Sequence, residues 1–131
     1  TVISDYAHHP TAIQETIKAA REFMPGRRIV VVFQPHQRDR TKKLFDDFVI
    51  SFDQAGVVIL PEIYDVAGRE EGIDVSSNDL VEKIKQNDPT KNIEYAEDLM
   101  EARVKAKSII EDEDVVIVMG AGDVFKIVNE L

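Results

Sequence analysis

Four short stretches hold the side chains able to do chemistry. Asp5, Tyr6, His8 and His9 supply a carboxylate, a phenol and two imidazoles just before Pro10. Gln34, His36, Arg38, Asp39 and Arg40 form a second group, and Glu62, Tyr64, Asp65, Arg69, Glu70 and Glu71 a third. Gly120, Gly122 and Asp123 close the set.

Three imidazoles, the whole histidine complement of the chain, raise zinc first. Zinc needs ligands that converge tetrahedrally, and the spacing of His8, His9 and His36 matches no compact ligand motif, so zinc is the minority reading. His9, next to a proline that suits a first helical turn, reads better as a cap or packing residue than His8 does.

Arg38 and Arg40 together can grip a carboxylate or phosphate through the guanidinium fork. The alternative is a solvated pair, or salt bridges to the many acids. Gly120-Ala121-Gly122-Asp123 after an apolar run could offer backbone amides to an anion. The third glycine of a dinucleotide fingerprint is replaced by Phe125, so a tight structural turn is an equal reading. Asp46-Asp47 and Glu70-Glu71 could hold magnesium, but on so acidic a chain they read as solvated surface.

There is no GxxxxGK[ST] phosphate loop, GxSxG elbow or HExxH helix, so no self-sufficient catalytic centre is expected in this stretch. With no cysteine, disulfide and thiolate chemistry are excluded, which fits a reducing cytoplasm.

What positions these groups is an alternation of apolar patterns. Val2-Ile3, Ile29 to Phe33, Val57 to Leu60, Ile93 to Ala96 and Val115 to Met119 are short continuous runs, as in strands covered on both faces. Between them, helical stripes run through Ile13, Ile17 and Ala20; through Leu44, Phe45, Phe48 and Phe52; through Leu80, Val81 and Ile84; and through Leu99, Ala102, Ala106, Ile109 and Ile110. Ser76-Ser77 offers an N-cap, while Pro25-Gly26 and Gly56 close helices.

This predicts an α/β fold, doubly wound, with a mostly parallel sheet and helices on both faces. In such a sheet ligands bind beyond the carboxyl ends of the strands, the edge on which all three histidines fall.

One domain accommodates all 131 residues. Acids outnumber basic residues by 25 to 16, giving a net charge of -9, which argues against a nucleic-acid or acidic-membrane partner and requires any anion to be held locally. A first residue other than Met, with a strand pattern already at residues 2–5, reads as a piece of a longer chain.

Taken in order and spacing, Asp5 to Ile13 (DYAHHPTAI), Phe33 to Thr41 (FQPHQRDRT), Leu44 to Phe48 (LFDDF), Tyr64 to Glu71 (YDVAGREE) and Met119 to Val124 (MGAGDV) resemble the C-terminal domain of the alanine-adding Mur ligases. The resemblance spans nearly the whole chain.

It implies a Rossmann-like domain, residues 1–131, from a three-domain enzyme of peptidoglycan synthesis. There the N-terminal domain takes UDP-N-acetylmuramate, and the central domain carries the ATP phosphate loop and most of the ATP and Mg2+ contacts. The C-terminal domain brings L-alanine and closes over the nucleotide. The implied reaction is ATP-dependent amide formation through an acyl phosphate, with the isolated domain inactive, no catalytic residue and no metal ligand in it.

By matching position, the resemblance assigns His8, His36 and Arg40 to the amino-acid site, with Arg40 on the incoming carboxylate. Tyr6 lies at the closing surface, and Asp5 reaches the nucleotide ribose. The family commonly reads QPHRYTRT where this chain has Gln34-Pro35-His36-Gln37-Arg38-Asp39-Arg40-Thr41. Arg38 is thus the candidate substitute for the arginine replaced by Gln37, and Gln37 and Asp39 bear on which amino acid is taken. The murein-peptide recycling ligases are the near alternative, disfavoured by the QPH motif. A standalone doubly wound binding module is the alternative from another class.

Overall fold

The computed structural model describes residues 1–64 and 75–131. Five strands, β1 (Val2–Asp5), β2 (Ile29–Phe33), β3 (Val57–Pro61), β4 (Asn92–Ala96) and β5 (Val115–Met119), form one sheet in the order β1-β5-β2-β3-β4. Every pairing is parallel.

The three inner strands, β2, β3 and β5, are buried at every residue, as their uninterrupted Val/Ile/Leu runs require. β1 departs from the expectation of a strand covered on both faces. The insertion of β5 between β1 and β2 leaves β1 at an edge, where Val2 and Ser4 face outward.

Helices α1 (Pro10–Phe23), α2 (Arg38–Lys43), α3 (Phe45–Ile50), α4 (Ser77–Asn87) and α5 (Leu99–Ile109) connect the strands, and a 3-10 helix (Asp123–Glu130) follows β5. Pro10 stands in the first turn of α1, where its missing N–H costs nothing. Ser76 caps α4 in a reciprocal capping box with Asp79, and Asp98 caps α5 by accepting the Glu101 amide at 2.8 Å.

The aromatic stripe expected over Leu44 to Phe52 is not one helix. The chain leaves helical geometry at Leu44 (φ -105°, ψ 19°), and Phe52 lies in the turn after α3. The stripe still converges, because Phe48 and Phe52 both pack on the Phe33 ring, at 5.7 and 5.6 Å between centroids.

Two cores result. Ile13, Ile17, Phe48, Leu80 and Ile84 cover one face of the sheet over Ile29, Val31, Phe33, Leu60 and Ile117. Ala102, Ala106, Val124 and Ile127 cover the other over Val30, Val32, Ile59, Val116 and Val118. Each buried aliphatic side chain contributes roughly 1.5–3 kcal/mol before the entropy of ordering it is charged.

At the amino edge of the sheet, Lys91 donates to the carbonyls of Phe52 at 2.7 Å and Ala55 at 2.5 Å, closing the turn after α3. No helix among the described residues is long and apolar enough to cross a membrane.

Candidate functional site

The connection after β5 runs to the face covered by α5, whereas those after β1 and β2 run to the opposite face. The loops therefore part beside β5 at the carboxyl edge, which is where a doubly wound sheet opens a ligand crevice.

Backbone hydrogen bonds tie the loops around that crevice. Gly120 N–H donates to Asp5 O at 3.3 Å, and Gln34 N–H to Met119 O at 3.2 Å. Tyr64 N–H donates to Pro35 O and Gln37 N–H to Tyr64 O, both at 2.8 Å. Gly120 has φ +148°, and a Cβ there would lie 2.8 Å from Val124 Cγ1 and 3.0 Å from Gln34 O, so only glycine fits.

In the first loop, Asp5 is committed on both carboxylate oxygens. Oδ1 accepts the Ala7 amide and Oδ2 the Thr16 hydroxyl, each at 2.9 Å. The carboxylate is fixed between the end of β1 and helix α1 and keeps lone pairs for a hydroxyl donor. Tyr6 is 69% exposed and meets the half-buried His8 ring edge-on at 5.6 Å, and His8 Nδ1 lies 3.1 Å from Tyr6 O.

His9 is exposed and has a different contact. Its Nδ1 accepts the Thr11 amide at 3.3 Å as the cap of α1. The two neighbouring histidines thus have separate contacts, one with Tyr6 and one in the helix start.

The second loop is built around an uncommon backbone. Gln37 has φ 68°, ψ 131°, the one non-glycine residue with positive φ among the described residues. Such conformations persist only where neighbours over-determine them, and here the Tyr64 carbonyl on its N–H and the Thr41 amide and hydroxyl on its carbonyl do so.

Arg38 and Arg40 then part company. Arg38 donates to Val75 O and stands 4.0 Å from Glu62 Oε2, tying the second loop to the start of α4. The half-buried Arg40 guanidinium makes no hydrogen bond or ion pair with a described residue.

Three residues that the sequence placed in these loops without assigning them a role organise this edge. Glu62 accepts the amides of Ile63 at 2.8 Å and Ser77 at 2.9 Å on Oε2, and the Tyr95 hydroxyl at 3.2 Å on Oε1. Burial, and then this carboxylate, push the Tyr95 phenol up to about 12. Gln34 is buried, donating Nε2 to Glu62 O at 3.0 Å, while its Oε1 has no hydrogen-bond partner among the described residues. Tyr64 stacks on His36 with centroids 5.4 Å apart and planes 14° from parallel.

Position after a strand marked Gln34, Glu62 and Tyr64 as loop residues; nothing in their types distinguished them from their neighbours. Asp65, Arg69, Glu70 and Glu71 lie outside the described residues. Among the described residues no group of three His, Cys, Asp or Glu side chains is placed to hold a metal ion.

Comparison with known proteins adds to this geometry. The family described as Mur ligase, glutamate ligase domain, matches residues 1–122. The UDP-N-acetylmuramate-L-alanine ligase of Nitrosomonas eutropha is 43% identical over 97% of this chain and 26% of its own length. That of Persephonella marina is 40% identical over 100% of this chain and 28% of its own.

The crystal structure of the UDP-N-acetylmuramate-alanine ligase of Thermotoga maritima superposes with a TM-score of 0.73. It is 25% identical and covers 98% of this chain and 25% of that one. The chain thus spans about a quarter of the length of the relatives it matches.

Proposed function

Because this chain belongs to the Mur ligase family, as a domain of its C-terminal type, we propose that it is the amino-acid-delivering domain of an ATP-dependent ligase. That ligase joins L-alanine to the lactyl carboxylate of UDP-N-acetylmuramate. The observation that carries the reading is Arg40, a half-buried guanidinium with no partner among the described residues, on the helix that follows His36 at the carboxyl edge.

A half-buried cation without a counter-charge is partly desolvated at a cost, and an incoming carboxylate relieves that cost with a paired, charge-assisted contact. Arg40 takes the carboxylate of the amino acid and so leaves its amine facing outward, toward the acyl group it attacks. In this reading His36 and His8, from the second and first loops, flank the seat, and Tyr6 supplies an exposed phenol at its rim.

Arg38 supports the seat from behind, since Val75 and Glu62 engage its guanidinium. Asp5, held by Ala7 and Thr16, is oriented to accept a ribose hydroxyl. ATP with Mg2+, held mainly by a central domain, supplies the activation that turns the sugar carboxylate into an acyl phosphate. Closure of this domain over the nucleotide keeps water from that species. Attack by the amine forms the amide and releases phosphate. The UDP-sugar is held by the N-terminal domain, and the reaction belongs to the cytoplasm, where its nucleotide substrates are made.

The test is ADP release by the full-length protein carrying this domain, given UDP-N-acetylmuramate, ATP and Mg2+, with each amino acid offered separately. Turnover that depends on L-alanine is expected. Turnover with another amino acid alone moves the specificity to that side chain, and a folded protein inert with all of them overturns the ligase reading.

A further inference from the structure

We propose that Tyr64 is a positioning residue of the amino-acid site: its ring holds the His36 imidazole in register, and its main chain holds the turn that presents Arg40. The inference rests on the amino-acid-site reading of His36 and Arg40 given above.

Three independent features converge on this one residue. Its ring lies 5.4 Å from the His36 ring at 14°, a stacked arrangement that restricts rotation of the imidazole. Its main chain pairs with the second loop on both sides, Tyr64 N–H to Pro35 O and Gln37 N–H to Tyr64 O, around an isolated parallel bridge between His36 and Tyr64. The ring also fills the space beside Gly122, where a Cβ would lie 2.7 Å from Tyr64 Cγ and 2.9 Å from Cδ2. Third loop, second loop and Gly120–Gly122 turn therefore meet at one aromatic ring.

The chemical consequence follows from what His36 has to do. A ring nitrogen that guides an amine toward an acyl carbon acts only if its direction is set, and an imidazole free to turn loses that direction. The Gln37 amide on the Tyr64 carbonyl further fixes the residue at which α2 begins, so a shift of Tyr64 displaces Arg40 as well. Small displacements of positioning groups are costly in rate.

Amino-acid saturation of ADP release by the full-length protein, at saturating ATP and UDP-N-acetylmuramate, tests this. Tyr64→Leu is expected to raise the KM for the amino acid on the order of tenfold while the KM for ATP stays within about twofold. Tyr64→Phe, which keeps the ring, should stay within about twofold of the parent.

Gly122→Ala pushes the ring aside without altering Tyr64, and should raise the amino-acid KM in the same way. In a Tyr64→Ala background, which removes both the ring and the Cγ that the new methyl would meet, it should add nothing. This second variant carries the test if Tyr64→Leu fails to fold.

An unchanged amino-acid KM in both variants, or a Tyr64→Phe protein as impaired as Tyr64→Leu, overturns the proposal. If the parent itself shows no amino-acid-dependent turnover, it is the ligase reading that fails. The stack is then judged by NMR of this chain, where Tyr64→Leu must remove the upfield ring-current shift of the His36 ring protons; an unchanged shift overturns it there too.

Discussion

Arg28 grips Asp114 with two hydrogen bonds, Nε to Oδ1 at 3.0 Å and Nη2 to Oδ2 at 2.7 Å, at the amino ends of β2 and β5. Asp114 is 4% exposed and also accepts the Glu111 amide, while Arg28 reaches the Ile109 carbonyl at the end of α5. One ion pair therefore closes the end of the sheet opposite the candidate site.

Removing the carboxylate leaves a guanidinium that solvent partly screens, and Asp114→Asn should cost about 1–3 kcal/mol in chemical denaturation at neutral pH. The Arg28 hydrogen bonds hold the Asp114 carboxyl below its usual range. A folded-state pKa below the unfolded one means the stabilisation is complete above the unfolded value and is lost as pH falls through the folded one. The stability gap between parent and Asp114→Asn should accordingly shrink as the pH is taken into the acid range, and a gap independent of pH would contradict this account.

Tyr95 sits on the β4 side of the Glu62 hub. Its phenol is pushed up to about 12, by burial first and by the Glu62 carboxylate next. Because the folded-state value is raised, the contribution to stability is present below the unfolded value near 10 and lost as pH rises through about 12. The ultraviolet difference between the parent and Tyr95→Phe should show phenolate forming later in the folded chain than in denaturant. Glu62→Gln should bring the folded value down.

Gln37 holds φ 68° without being glycine. Relief of backbone strain is worth about 1–3 kcal/mol, set against roughly 0.5–1 kcal/mol for the greater freedom of glycine in the unfolded chain. Gln37→Gly should thus raise the urea midpoint slightly, and Gln37→Val, whose branched Cβ is worst in this region, should lower it. Equal midpoints for the two would mean that the turn carries no strain.

The sheet was largely legible because inner strands and amphipathic helices leave different periodicities. IVVVF and VVIVM can be buried on both faces, whereas Ile13, Ile17 and Ala20 can cover only one. The edge position of β1 was not legible: Val2-Ile3 is as apolar as an inner strand, and only the return of β5 to its side exposes it. The break at Leu44 was hidden because Leu44, Phe45 and Phe48 keep helical spacing across it.

In the site, type and loop position were enough to gather His8, His36, Arg38 and Arg40 at one edge. They could not tell Arg38 from Arg40, since what separates them is the Val75 carbonyl and Glu62, some 24 to 37 residues farther along the chain. Tyr64 was named as a residue of the third loop, but its contacts with His36 and Gly122 could not be read, for the same reason: they join distant parts of the chain.

The most direct measurement is the dependence of ADP release on L-alanine concentration for the full-length protein and its Arg40→Ala variant, with the other substrates saturating. If Arg40 seats the amino-acid carboxylate, kcat/KM for L-alanine falls on the order of a hundredfold while the KM for ATP is kept, the loss of one charge-assisted contact at a half-buried site. An L-alanine KM that does not move would place the carboxylate elsewhere and contradict the account.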